Sequence, residues 1–260
     1  MSKEEQAVQK AGETTSLMLP QLQDMVTTGF ENVGVDDTAT PFLKLLQKMS
    51  PETEKGTADY IEGSEAGCIL NSVTKQTYIG NTGVRVVPCT FRREYIEWAP
   101  REASQGAPIA RHAATSDILA RTSRSQDNKD VLPNGNYIEN TAQWYVILLS
   151  DDLSEWTPAM VSMKSTQLKR ARSWMSMIRE SRAPVMFSHM YKLTSILEQN
   201  NKGNWYSWVI NRSDALDINY ETMTGSPTHS EIFKAAYEFA LAVKQGEVDA
   251  NEPRDDEVPF

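Results

Sequence analysis

Between residues 41 and 244 the apolar side chains arrive in short β-branched and aromatic runs cut by turn signals. This spacing limits the fold more than any other property of the chain, because a period of two makes strands and a period near 3.6 makes helices. Residues 67–71 and 76–79 are two brief strand-like runs, the second closed by the turn signal Gly80-Asn81-Thr82-Gly83. Residues 84–91 and 95–98 form a longer one, and Trp144-Tyr145-Val146-Ile147-Leu148-Leu149 reads as a central strand. Asp151-Asp152 makes a turn, and residues 156–163 lead back. Residues 184–197 and 204–210 read as two more strands joined through residues 200–203. The run 41–49 fits either a helix, with Phe42, Leu45, Leu46 and Met49 on one face, or a buried strand ended by Pro51.

Helical spacing occurs twice. Residues 165–181 place Leu168, Ala171, Met175 and Ile178 on one face. Residues 228–245 carry Ile232, Ala236, Phe239, Ala240 and Val243, with Thr228 as N-cap, Glu231 completing a capping box and Gly246 ending the helix. Many short strands with one interposed helix predict a mainly β chain with helices. The expected form is a small oligonucleotide-binding-fold-like (OB-like) barrel with insertions, a C-terminal helix and a disordered acidic tail. The expected organisation is a mobile acidic segment over 1–39, the barrel domain over 40–246 and the tail over 247–260. Residues 100–135, rich in Ser, Gly, Asn and Asp, are expected to be a long loop or insertion. A short helix is allowed within 17–33.

The chemistry of several enzyme classes is missing. There is no GxxxxGK[ST] loop, no GxSxG elbow and no HExxH. The best local acids, Asp151, Asp152 and Glu155, sit in the expected turn, without the acid-then-lysine spacing of a metal nuclease. Cys68 and Cys89 form no CxxC, and His112, His189 and His229 are far apart. The chain is expected to be no enzyme and to need no metal or cofactor, with both cysteines as small core residues. No run approaches the roughly 18 apolar residues of a membrane helix, and the N-terminus lacks the apolar core of a signal peptide. A cytoplasmic location follows as an expectation.

The net charge of −9 is unevenly spread: residues 1–40 and 245–260 carry −5 each, leaving 41–244 at +1. Two basic regions stand out. Arg85, Arg92, Arg93 and Arg101 surround Phe91, Tyr95 and Trp98. In a strand, Phe91, Arg93 and Tyr95 share one face and Arg92, Glu94 and Ile96 the other. Residues 164–192 hold Lys164, Lys169, Arg170, Arg172, Arg179, Arg182 and Lys192 against Glu180 alone, a balance of +6. Trp205 and Trp208 add rings nearby in sequence. Cations for phosphates and flat rings for exposed bases are what single-stranded nucleic acid requires. The expected contacts are Arg85, Arg92, Arg93, Tyr95, Trp98, Arg101, Lys164, Lys169, Arg170, Arg172, Arg179, Lys192, Trp205 and Trp208.

The last six residues, Asp255-Asp256-Glu257-Val258-Pro259-Phe260, join three acids to a terminal aromatic. Such a peptide docks by placing its ring in a pocket and its carboxylate among basic side chains. This tip resembles that of bacterial single-stranded DNA-binding proteins, and in size the chain is similar to phage-encoded proteins of that kind. Residues 41–51 and Tyr95-Ile96-Glu97-Trp98-Ala99-Pro100-Arg101 also resemble those phage proteins. The resemblance implies an elaborated OB barrel that coats single-stranded DNA during replication, recombination or repair. It implies a tip that competes weakly with DNA and recruits a polymerase, helicase, primase or nuclease. A recombination annealing protein and, further off, a metal-dependent nuclease are the alternatives. Oligomeric state is left open.

Overall fold

The computed structural model describes residues 39–100, 107–180, 185–201, 203–216, 227–246 and 248. The expected N-terminal segment over 1–39, save its last residue, together with Arg101, Arg182 and the tip 255–260, lies outside the described residues.

Two long strands carry the architecture. β-Branched and aromatic residues dominate Val84–Trp98 and Tyr137–Leu149, which pair antiparallel along nearly their whole length. The register shifts between Pro88 and Thr90, where proline has no N–H to give to the ladder. In chain order the strands are β1 (Leu43–Leu45), β2 (Ile69–Asn71), β3 (Thr77–Tyr78), β4 (Val84–Trp98), β5 (Ala110–Ala113), β6 (Ser123–Arg124), β7 (Asp130–Val131), β8 (Tyr137–Leu149), β9 (Trp156–Lys164), β10 (His189–Asn200) and β11 (Gly203–Ala215). The helices are α1 (Leu168–Arg179) and α2 (Pro227–Gln245). The main sheet runs β11-β10-β4-β8-β7-β6, with β5 also on β4 and β9 also on β8. A small antiparallel sheet, β1-β2-β3, completes the body.

The sheet curls toward closure in two places. On one side Phe42 bridges Met160 of β9 in parallel, and the Met160 amide donates to the Pro41 carbonyl at 2.8 Å. On the other, the outward backbone groups of β11 meet glutamine amides rather than another strand. Gln47 Oε1 accepts from the Tyr206 amide at 2.8 Å, and Gln167 donates to the Tyr206 carbonyl at 3.1 Å and accepts from the Trp208 amide at 3.2 Å. A primary amide offers the same donor and acceptor as a peptide, so it finishes an edge that would otherwise be exposed. The result is a mainly β, curled antiparallel half-barrel with two helices, compatible with an OB-like barrel. The turn over residues 80–83 lies against β10: a Cβ at Gly80 would overlap the Gly67 carbonyl and Ser195 hydroxyl. Gly83, at φ +70°, takes a left-handed conformation that favours glycine.

Each face of the sheet has its own core. On one, α1 lays Ala171, Trp174 and Ile178 over Val84, Val86, Trp144, Val146, Tyr191 and Trp208. Trp174 stacks on Trp144 at 4.2 Å between ring centroids, 21° from parallel, a geometry that adds to plain burial. On the other, α2 lays Ile232, Ala236, Phe239 and Val243 over Val87, Tyr145, Ile147 and Met160. Cys89 belongs to that core, whereas Cys68 is half-buried; both are free thiols.

The structure corrects several expectations. Of the two readings left open for residues 41–49, Leu43–Leu45 take the strand, because β2 supplies their hydrogen bonds. The described part of 100–135 is no plain loop: it holds β5, β6, β7 and a 3-10 turn at Ile118–Arg121, with Ile118 and Leu132 packed on Ile138. The first helix is entered through a 3-10 turn at Ser165–Gln167, and its central apolar residue is Trp174. α2 starts at Pro227, which puts Thr228 inside the first turn; proline suits that position because its missing N–H has no partner there. Among the described residues, no helix is long and apolar enough to cross a membrane.

Candidate nucleic-acid interface

The expected rings are mostly core. Trp98 is 1% exposed and packs with Ile96 and Tyr137; Trp208 is 3% exposed and lies under α1. Trp205 is buried as well, and Tyr95 is half-buried against Ile118, Leu132 and Ile138. A ring enclosed on both faces offers no platform, so Trp98, Trp205 and Trp208 are withdrawn as stacking residues. Aromatic residues on strands serve first to fill the volume between sheet and helix. What remains is one row on β4. Phe91 and Tyr95 are half-buried and flank Arg93, whose guanidinium stands 6.0 Å from the Phe91 ring centre. The strict alternation on β4 places Arg92 on the opposite face, over Tyr145 at 5.5 Å.

The cations sort by what holds them. Lys164 pairs with Glu139 at 3.3 Å, and Lys169 with Glu198 at 3.2 Å; Arg170 shares Glu198. Burial acts to raise the Glu198 pKa, but the hydrogen bonds from Lys169 and Arg170 outweigh it and hold the carboxyl below its ordinary value. Arg85 donates to the Ser150 and Asp151 carbonyls and pairs loosely with Asp151 at 3.8 Å. These four are tied into the protein surface, which weakens their claim as phosphate contacts.

A second set has no carboxylate partner among the described residues. Arg92 donates to the Val243 carbonyl in the last turn of α2, where a cation complements the helix dipole. Arg93 donates to Asn140 Oδ1 at 3.2 Å. Arg172 is exposed and bonds back to the Leu168 carbonyl at 3.4 Å. Arg179 and Lys192 are exposed. Lys192 stands directly across from Arg85 in the β10–β4 register, and like charges so placed repel. A bound anion would relieve that repulsion.

Two residues outside the expected set lie beside these cations, each with a carboxylate partner. Arg111 and His112 on β5 stand beside Arg92 and Arg93 and line the same cleft. Arg111 pairs with Glu94 at 3.0 Å and His112 with Glu97 at 3.0 Å. Glu97 also accepts from Asn136 at 2.6 Å. That hydrogen bond first, and the one with His112, hold the Glu97 pKa below its ordinary value against the opposing effect of burial. The available signal was Arg111-His112 in the otherwise uncharged stretch 107–116, obscured because four-residue strands escape pattern reading.

The acids Asp151, Asp152 and Glu155 lie in the β8–β9 turn. Asp152 accepts from the Ser154 and Ser150 hydroxyls and the Ser154 amide, which lower its pKa to about 2. It is a loop-shaping carboxylate, as the turn reading expects.

No curated protein and no solved structure matches the chain. The family described as Pam3 phage gp34-like protein matches residues 10–249. Since that match takes in nearly the whole length, including both core helices and every strand, the chain belongs to the Pam3 phage gp34-like family.

Proposed function

We propose that this protein binds single-stranded DNA through its sugar-phosphate backbone, without strong sequence preference, and that residues 255–260 recruit replication or recombination proteins. One observation carries the reading: Arg92, Arg93, Arg172, Arg179 and Lys192 have no carboxylate partner among the described residues, in a chain whose net charge is −9. Cations without a carboxylate partner among the described residues are a source of positive potential for an external anion. The row Phe91-Arg93-Tyr95 favours unpaired strands, because ring edges and a guanidinium plane can meet bases that a duplex conceals. Buried tryptophans shift the balance from base stacking to phosphate contact, which carries no sequence information. The tip, with its three acids and terminal phenylalanine, serves partners rather than DNA.

The test is fluorescence anisotropy of a labelled dT oligomer and of a duplex of equal length at two salt concentrations. The single strand is expected to bind more tightly, and its affinity to fall with salt. Equal affinity for the duplex, or salt-independent binding, overturns the reading. Intrinsic tryptophan fluorescence is expected to change little, because five of the six tryptophans are buried.

A further inference from the structure

Along one edge of β4 the neighbouring strands part. β10 pairs as far as Val86 and β5 begins at Glu94. Among the described residues, the edge between them has no strand partner. The opening forms a cleft of about 380 Å³ lined by Arg92, Arg93, Glu94, Arg111, His112 and Ala113. Arg92 and Arg93 leave opposite faces of β4 and border it from both sides.

Each basic side chain in the cleft is oriented by a bond to the protein, and the arginines keep donors to spare. Arg92 is held by the Val243 carbonyl, Arg93 by Asn140, Arg111 by Glu94 and His112 by Glu97. A guanidinium has five N–H donors, and these bonds use few of them. Nη2 of Arg111 is buried with no hydrogen-bond partner among the described residues. A buried donor left without an acceptor is costly. Three arginines against Glu94 leave the lining at a formal +2 with His112 neutral. An internal phosphodiester carries one negative charge; a phosphate monoester carries close to two at neutral pH.

We propose that this cleft binds a phosphate monoester dianion, either the terminal phosphate of a nucleic-acid strand or that of a free nucleotide. Planar guanidinium forks match phosphate oxygens two at a time. The open side of the cleft leaves room for whatever the phosphate is attached to. The inference rests on the DNA-binding reading for the first source alone; a free nucleotide would not need it.

The full chain is titrated with dT oligomers of one length carrying a 5′-phosphate, a 3′-phosphate or none, and separately with dTMP. Arg93→Gln and Arg111→Gln are measured alongside, with thermal melts to confirm folding. Arg93→Gln leaves the Glu94–Arg111 pair intact and so serves if the other variant unfolds. At least one phosphorylated oligomer is expected to bind about tenfold more tightly than the unphosphorylated one, the scale of one charge-assisted hydrogen bond, and the advantage to vanish in both variants. If the strand end is the source, the phosphorylated oligomer outcompetes dTMP. If a free nucleotide is the source, dTMP binds the wild type and not the variants, whatever the oligomers do. Equal binding of all oligomers with no dTMP binding overturns the cleft assignment while the DNA-binding reading stands. No binding of any oligomer overturns that reading, and dTMP then decides the cleft by itself.

Discussion

Replacing Arg172 and Arg179 together by glutamine removes two of the five cations that lack a carboxylate partner among the described residues. Both are exposed on α1, and glutamine is a good helix former, so stability is expected to move by no more than about 0.5 kcal/mol. Binding is affected through counterion release. Each phosphate neutralised on a single strand contributes about −0.7 to the slope of log affinity against log salt. Five contacts give a slope of about −3.5, so a rise from 50 to 200 mM salt weakens binding about 100-fold. Three contacts give about −2.1, and the same rise weakens binding only about 20-fold. The assay is anisotropy of a labelled dT oligomer at four salt concentrations, with a thermal melt of the variant as control. A slope unchanged from wild type in a folded variant removes α1 from the DNA path and refutes the reasoning from unpaired cations.

Deleting residues 255–260 is expected to leave DNA affinity equal or higher while abolishing capture of replication proteins; a collapse of DNA affinity refutes the tip's role. Gln167→Leu strips the Trp208 amide and the Ser207 hydroxyl of their acceptor, while Gln47 still donates to the Tyr206 carbonyl, and a loss of about 1–3 kcal/mol in denaturant unfolding is expected from the unmet Trp208 amide. Because the Glu97 pKa is lowered in the fold, its stabilising contribution is complete above the ordinary carboxylate pKa and is lost as pH falls through the folded value. Glu97→Gln should therefore lower Tm at pH 7, with the gap to wild type closing below about pH 4; a gap that stays constant with pH contradicts the assignment.

Much of the body was legible because its elements are long and its periods clean. The stripe Ile232, Ala236, Phe239 and Val243 predicted the buried face of α2. Alternation along β4 separated Arg93 from Arg92 correctly, as their contacts with Asn140 and Val243 show. What escaped was decided by tertiary contact. Trp174 sits between basic residues in sequence, yet it is the centre of the α1 interface because Trp144 faces it. β5, β6 and β7 are two to four residues long, too short for a period, and exist because β4 and β8 extend past their pairing with β10 and β9 and offer free edges. The candidate site divided likewise. Charge could be counted in the sequence, but which cations are already paired could not, since Lys164 and Glu139, or Arg170 and Glu198, meet only across strands and helices. The tryptophans were misassigned because their sequence neighbourhood is polar while their burial comes from α1 and the opposing strands.

The most direct test of the central claim locates the DNA on the protein. Backbone hydrogen exchange of the full chain, with and without a saturating dT oligomer, reads every segment at once. The account predicts slowed exchange at residues 87–93, 110–113 and 168–179, with no change on the outer side of α2 around Tyr237. Protection confined to α2 or to the β6–β7 hairpin, or none at all under conditions of saturation, contradicts it.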